Sequence, residues 1–328
     1  MTPSLSLIVE MDNAEVSGSE TVLAAINLLA AQLGALEDKG SEGARPEMIF
    51  VLPGGSSDAE ALRRAVSEAA PGLADHADLS FEGVPDGRYY ELKNRGVEMA
   101  RGDIVAFMDS DMLPETDWLP KLLAPFSDPE VVGTNGHTSL RFDSFPSRVY
   151  ALFWVFPLRA HDERAAAKRP LNANNCAFRR RWIAANPFPD NPGFKISCSL
   201  LSETLRQQGL RVATVEAFSG HRSPRGWRFF AWRALVAGRD ADRRFTVLKS
   251  QRRLHRLANA FGRFFTAQWR VLRRLPLARH VGLAPLQLPL AVGMYSIFNG
   301  IAFVGQALLA TGLQSDRVER VPDYLEHS

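Results

Sequence analysis

Cysteine is nearly absent from this chain: 328 residues contain only Cys176 and Cys198. Two thiols in a chain this long exclude a disulfide-stapled scaffold and fit a reducing compartment. The amino-terminal stretch Met1-Thr-Pro-Ser-Leu-Ser-Leu-Ile-Val-Glu10 lacks the basic start and long apolar run of a secretion leader, so none is expected there. Internal repeats and low-complexity tracts are lacking too. From residue 281 to 315 there is no charged residue at all, and residues 206–280 hold only three acidic ones. No DNA- or RNA-binding motif accompanies the basic residues of that region, so a nucleic-acid partner is not expected.

What is present is unevenly spread. Residues 1–205 carry 19 Lys/Arg against 29 Asp/Glu, residues 206–280 carry 18 against 3, and the tail from 281 carries 2 against 4, within a net charge of +3. A basic block of that density calls for a polyanion such as anionic lipid headgroups or a phosphate-bearing substrate. The uncharged run after it is long enough to reach across a bilayer, for which about 20 apolar residues suffice. Membrane contact is therefore expected, with the basic side at the cytoplasmic face. Pro285, Gln287, Pro289, Asn299 and Gln306 keep a buried core segment open as the alternative. Spanning, re-entering and lying flat all remain open. From Gly226 to Arg274 aromatics and leucines interleave with arginines, a pattern for interfacial helices or for solvated helices packed by an apolar stripe.

Along the first half, strands and helices alternate. Leu5–Val9 and Met48–Leu52 read as buried strands, and Leu79–Phe81 as a short third. Ser17 and Glu20 have capping-box spacing, and Val22, Ile26, Leu29, Leu33 and Leu36 follow at helical steps. Asp58 is placed to cap a helix running to Ala70, and Tyr89–Ala100 reads as another helix. Such alternation predicts a mainly parallel α/β sheet flanked by helices. The second half is less regular: a short strand at Val131–Thr134, a hydrophobic helix around Tyr150–Leu158, a helix over Leu200–Gln208 and a strand over Arg211–Val215.

The most telling stretch is Ile104-Val-Ala-Phe-Met-Asp-Ser-Asp111. Five apolar residues form a strand buried on both faces, and it delivers Asp109 and Asp111 at its carboxyl end, where open α/β sheets bind ligands. If the strand stays extended, residues i and i+2 share a side, so both carboxylates converge on one hard cation that can hold a diphosphate. A simple surface turn is the competing reading.

The order of elements resembles the family 2 glycosyltransferases, enzymes with the GT-A fold. The likeness rests on Ile8–Asn13, Gly55-Ser-Ser-Asp58, Lys93-Asn94-Arg-Gly96, Ala100-Arg-Gly102, Phe107–Asp111, Trp118-Leu119, Asn174–Arg180, Leu205–Gly209 and Gly220-His221. The resemblance implies a GT-A domain over residues 1–225, basic amphipathic helices over 226–280, a hydrophobic membrane-associated segment over 281–315 and a polar tail over 316–328. It implies an Mn²⁺- or Mg²⁺-dependent transferase that moves a sugar from a nucleotide-diphosphate donor, by inversion, to a lipid-linked or polysaccharide acceptor at the cytoplasmic membrane face. Asp111 would hold the metal, with His221 as a further ligand or a structural histidine. Glu10, Asn13, Asn94, Asp109, Arg222 and Arg225 would contact the nucleotide-sugar.

Departures from the family pattern stand beside the likeness. Pro53-Gly54 occupies the place of paired aspartates that read the nucleobase, and Glu10 is the substitute candidate. The family's Glu-Asp base pair falls on Ser197-Cys198, neither a carboxylate. Asp190, displaced into that role, and a Cys198 thiolate are the candidates for taking the acceptor proton. A catalytically degenerate nucleotide-sugar-binding or scaffold subunit of an envelope-polysaccharide assembly is the alternative function.

Overall fold

A computed structural model describes residues 4–12, 19–37, 45–154, 158, 171–191, 193–223 and 226–314. The chain forms two compact units, one of Met1–Thr138, Asp162–Asp190 and Cys198–His221, the other of Ser139–His161, Asn191–Ser197 and Arg222–Ser328. In chain order the elements are β1 (Leu5–Glu10), α1 (Ser19–Glu37), β2 (Glu47–Pro53), α2 (Ser56–Ala69), α3 (Leu73–His76), β3 (Asp78–Val84), α4 (Tyr89–Met99), β4 (Ile104–Asp109), β5 (Met112–Pro114), α5 (Trp118–Leu123), β6 (Val131–Leu140), α6 (Phe145–Phe153), β7 (Asn175–Arg179), α7 (Arg180–Ala185), α8 (Ser197–Gln207), β8 (Arg211–His221), α9 (Trp227–Leu248), α10 (Arg253–Arg274) and α11 (Leu288–Thr311).

The eight strands form one sheet in the order β3-β2-β1-β4-β7-β6-β8-β5. β3, β2, β1 and β4 run parallel. The β4–β7, β6–β7 and β5–β8 pairings are antiparallel, which qualifies the expected mainly parallel sheet. Alternation along the strands builds a core on each face. Leu7, Val9, Met48, Phe50, Ala106 and Met108 pack on one side with Val22, Ile26, Leu29 and Leu33 of α1. Ile8, Ile49, Val51, Val105 and Phe107 pack on the other with Leu92 and Val97 of α4 and Leu201 and Leu205 of α8. Each such aliphatic side chain contributes about 1.5–3 kcal/mol on burial, which is why the apolar stripe of α1 was readable in sequence.

Several boundaries differ from the sequence expectation. The Ser17 end of the capping box lies outside the described residues. Asp58 stands at the third position of α2 rather than before it, and its carboxylate accepts the Gly55 N–H at 2.7 Å. β3 is seven residues long because it pairs with β2 along its whole length. β6 reaches Leu140 rather than Thr134, and β8 reaches His221 rather than Val215. The helix expected around Tyr150–Leu158 begins earlier, at Phe145, where Ser144 accepts from the Ser147 N–H.

A buried carboxylate ties the amino-terminal ends of the parallel strands together. Glu47, at the start of β2, accepts from Ser6 Oγ, from the Arg101 N–H and from Arg101 Nε, while Ser6 Oγ accepts the Gly102 N–H at 2.8 Å. Gly102 is required there, since a Cβ would lie 2.6 Å from backbone atoms of Leu5 and Ser6. Burial alone would push Glu47 up, yet the bonds from Arg101 and Ser6 outweigh it and hold the carboxyl below its ordinary 4.5. Because the folded value is depressed, the stabilisation is complete above 4.5 and is lost as pH falls below it. Glu47→Gln is expected to cost about 1–3 kcal/mol at neutral pH. Chemical denaturation of the two proteins should then converge as the medium is acidified.

Candidate functional site

The site grows from the register of two neighbouring strands. β1 and β4 pair so that Glu10 stands beside Asp109, the last residue of each strand. Helix α4 covers this end, and its Tyr89 and Lys93, one turn apart, reach the same carboxylate. Lys93 Nζ lies 2.6 Å from Asp109 Oδ1 and 4.0 Å from Glu10 Oε2. Tyr89 donates its hydroxyl proton to Asp109, 2.9 Å from Oδ2. Glu10 itself accepts the Asp12 N–H. Neither Lys93 nor Glu10 has any solvent-exposed side-chain surface. The ammonium also sits 4.6 Å from the centre of the Tyr89 ring, a geometry that favours a cation.

Electrostatics follow from that burial. Desolvation works against a charged Lys93, but Asp109 and then Glu10 outweigh it and raise the ammonium above its ordinary 10.5. Burial, followed by the Asp109 charge, drives Tyr89 well above 10, so its phenol stays a donor. Asp109 is thus held from beneath by a cation and a hydroxyl, with α4 as the rigid support.

Asp111 has different company. After Asp109 the chain turns at Ser110 and Asp111 and enters β5, which pairs antiparallel with the end of β8 so that Met112 lies opposite His221. His221 Nε2 comes to 3.2 Å from Asp111 Oδ2. The segment from Asp109 to Asp111 is therefore a turn, not the extended stretch expected from the sequence. The turn breaks the two-residue period, sending Asp109 to Lys93 and Asp111 to His221. Among the described residues no three His, Cys, Asp or Glu side chains gather as a complete metal cage. The Asp111–His221 pair supplies one oxygen and one nitrogen donor, a set suited to a divalent cation whose other ligands come from a bound molecule.

The other candidates from the sequence have partners of their own. Asn94 clamps the chain segment beyond α7: its amide donates to the Phe188 carbonyl and accepts the Phe188 N–H, both at 2.9 Å. Asp190, two residues on, has a side chain 80% exposed and bonded to Arg88 at 2.5 Å. Arg88 also grips Glu91, with Nε 2.9 Å from the carboxylate, and that bond chiefly raises its pKa. Arg222 directly follows β8 and belongs to the second unit. Asn13 and Arg225 lie outside the described residues.

Ser197 and Cys198, at the place where the resemblance puts the base, open helix α8. Ser197 Oγ accepts from Asn191 Nδ2 at 2.5 Å. Cys198 is buried, and its Sγ donates to the Leu171 carbonyl at 2.9 Å. Tyr89, Lys93 and Arg88 were missed by sequence reasoning. Their signal was a lysine at the i+4 position of a tyrosine on the apolar face of a helix, with Arg88 three residues before Glu91.

The comparisons with known proteins agree with this architecture. Residues 88–185, which include α4, Asp109 and Asp111, match the family described as Glycosyl transferase family 2. A curated relative, glucosyl-3-phosphoglycerate synthase of Mycolicibacterium smegmatis, is 28% identical over 212 residues, covering 58% of this chain and 62% of the relative. The chain thus spans less than two thirds of that relative's length. Among solved structures, a mannosyltransferase from Pyrobaculum calidifontis in complex with GDP-Man and Mn²⁺ superposes with a TM-score of 0.56 and 17% identity, covering 96% of this chain and 89% of that one. Glucosyl-3-phosphoglycerate synthase from Mycobacterium tuberculosis in complex with Mn²⁺, UDP and glucosyl-3-phosphoglycerate gives a TM-score of 0.46 at 21% identity over 72% of this chain and 78% of that chain. The fold is that of the GT-A glycosyltransferases.

The Lys93–Asp109 pair yields a double-mutant test. Lys93→Met leaves Asp109 buried without its cation and is expected to lower stability by about 3–5 kcal/mol. Adding Asp109→Asn to Lys93→Met should restore part of that loss, because the two changes are coupled. Urea unfolding of the four proteins measures the coupling, and simple additivity would contradict it.

Proposed function

We propose that this chain, residues 88–185 of which match the glycosyl transferase family 2, moves a sugar from a nucleotide-diphosphate donor with the help of Mn²⁺ or Mg²⁺. The observation that carries the reading is the division of partners at the β4 end: Asp109 is bonded by Lys93 and Tyr89, while the likewise buried Asp111 stands 3.2 Å from His221. Asp111 and His221 would hold the cation, the donor's phosphate oxygens completing its shell. A divalent cation held by these two residues would supply positive charge against the leaving diphosphate. Lys93, Tyr89 and Glu10 keep the β1 and β4 ends in register, so that the Asp111 turn departs from a fixed point. The complex of the Pyrobaculum mannosyltransferase with GDP-Man and Mn²⁺ supports the donor class and the metal.

On the acceptor side, Asp190 is the exposed carboxylate that would take the hydroxyl proton in an inverting transfer. Its bond to Arg88 positions it and must loosen as the proton moves. The basic, apolar second unit supports action at the cytoplasmic face of the cell membrane on a lipid-linked or polysaccharide acceptor. A second reading, a nucleotide-sugar-binding subunit without turnover, is favoured by the Ser197-Cys198 pair standing where a carboxylate base is expected.

Purified full-length protein in detergent, given Mn²⁺ and a panel of GDP- and UDP-sugars, tests both. Asp111→Asn is expected to weaken metal-dependent nucleotide binding by about tenfold or more in calorimetry; unchanged binding would overturn the metal assignment. Asp190→Asn should leave nucleotide binding intact and slow transfer by about 10²–10⁴-fold. Undiminished transfer removes Asp190 from the role. Acceptors in the panel include lipid-linked sugars, polysaccharide and, given the curated relative's name, 3-phosphoglycerate. Binding without turnover on every acceptor would establish the second reading.

A further inference from the structure

Helix α11 and the turn before it, Pro285–Thr311, are long and apolar enough to cross a membrane. Its neighbours in the second unit argue for another arrangement. On one side it packs against α9 so closely that a Cβ on Gly238 would lie 1.8 Å from the Ala302 carbonyl oxygen, and one on Gly305 would lie 2.3 Å from the Leu235 oxygen. The Phe230 and Phe298 rings meet at 5.4 Å along the same seam. On another side α11 runs antiparallel to α10. Arg256 donates to the Leu309 carbonyl at 2.9 Å, Phe261 meets Phe303 at 4.9 Å, and Gln268 accepts from Asn299 at 2.9 Å.

Those flanking helices are heavily charged. α9 carries Arg228, Arg233, Arg239, Asp240, Asp242, Arg243 and Arg244, and α10 carries Arg253, Arg256, Arg263, Arg270, Arg273 and Arg274. Asp242 is fully buried and bonded to Arg256 at 3.1 Å, beside the carboxyl end of α11. If α11 crossed a bilayer, both partners would be dragged into hydrocarbon with it, and each charge there is costly. The seam is built of backbone-to-backbone contact and a buried ion pair, so α11 does not detach cheaply to cross alone.

The free surfaces of the same helices fit a membrane from the side. Along α10, Leu254, Phe261, Phe265, Trp269 and Leu272 are exposed at steps of seven, four, four and three, which is one helical face. α11 and its approach leave Leu286, Leu290, Ile297 and Val304 exposed. Exposed Arg252, Arg253, Arg263, Arg270 and Arg273 accompany the α10 strip, and no Asp or Glu occurs between Asp242 and Asp316. Aromatic side chains with arginines beside them suit the acyl–headgroup boundary, where arginine stems lie along apolar surface and the guanidinium reaches phosphate. We propose that the second unit docks in the plane of an anionic phospholipid bilayer through the Phe261–Phe265–Trp269 strip and the arginines around it, with α11 embedded from one side and never crossing. This deepens the membrane part of the proposed function and is independent of its catalytic part.

Cosedimentation of the full chain with phosphatidylcholine vesicles, with and without phosphatidylglycerol, reads the docking directly. Binding is expected to be about tenfold or more stronger to the anionic vesicles and to fall with added salt. Phe265→Glu with Trp269→Glu should abolish it while the thermal unfolding transition is retained, both positions being exposed. Vesicle binding that ignores lipid charge, or survives the two glutamates, overturns the proposal. Orientation is read by single cysteines at Arg279 and Gln314 in inside-out membrane vesicles from cells expressing the protein. Labelling of both by a membrane-impermeant maleimide supports the in-plane arrangement; protection of one end means that α11 spans. Neither readout uses enzymatic activity, so a failed transferase assay leaves the docking result standing, and the reverse holds too.

Discussion

A single buried ion pair, Lys93 to Asp109, supports the functional end of the sheet. A lysine with no exposed surface is tolerable only because a carboxylate lies at 2.6 Å, a second stands at 4.0 Å and an aromatic face lies against it. The pair fastens α4 to β4, and through Glu10 to β1, at the point where both strands stop. Its removal in halves is far worse than its presence, since either partner left alone is a desolvated charge. Asp109 is thereby bonded into the frame, and Asp111, past the turn, has His221 for its neighbour.

The two units are stabilised by different means. The first relies on strand alternation, with an apolar layer on each face of the sheet, and uses polar groups sparingly at the strand ends: Glu47 at the amino ends, Lys93 and Asp109 at the carboxyl ends. The second unit has its own cluster of Tyr150, Phe230, Tyr295 and Phe298, and a glycine-mediated seam between α9 and α11. Its outer surface combines aromatic exposure with positive charge, a combination that water alone does not favour. A helix that passes every compositional criterion for a span can still be fixed alongside charged partners, and the partners then set its environment.

Much of this was legible in the residues. The strand Ile104–Asp109, the stripe of Val22 to Leu33 and helix α4 follow from periodicity, which reports local geometry faithfully. The short β3 was under-read because Ser80, Glu82 and Gly83 have weak strand character, and only pairing with β2 makes the segment a full strand. β6 was cut short at Thr134 for a similar reason, since Asn135-Gly-His-Thr looks polar yet is buried within the sheet. Residue type alone points to Asp58 as a cap; the backbone places it at the third helical position, where it accepts the N–H of Gly55 before the helix. The buried strand pointed to Asp109 and Asp111, and the family resemblance to His221. The assumption of an extended Asp109–Asp111 segment failed because a turn, not a strand, joins β4 to β5.

The sequence by itself determined the alternating α/β order, the identity of the strand that delivers the two aspartates and the basic-then-apolar layout of the second half. These are properties of composition and short-range period, and they survive in any arrangement of the elements. Tertiary structure alone decided the partner of each aspartate, because Lys93 lies 16 residues from Asp109 and His221 is joined to Asp111 by the β5–β8 pairing. It likewise decided the surroundings of α11, since Gly238, Arg256 and Gln268 meet it across long stretches of chain. Electrostatic partners and helix neighbours are set by distance in space, and a linear pattern does not encode that distance.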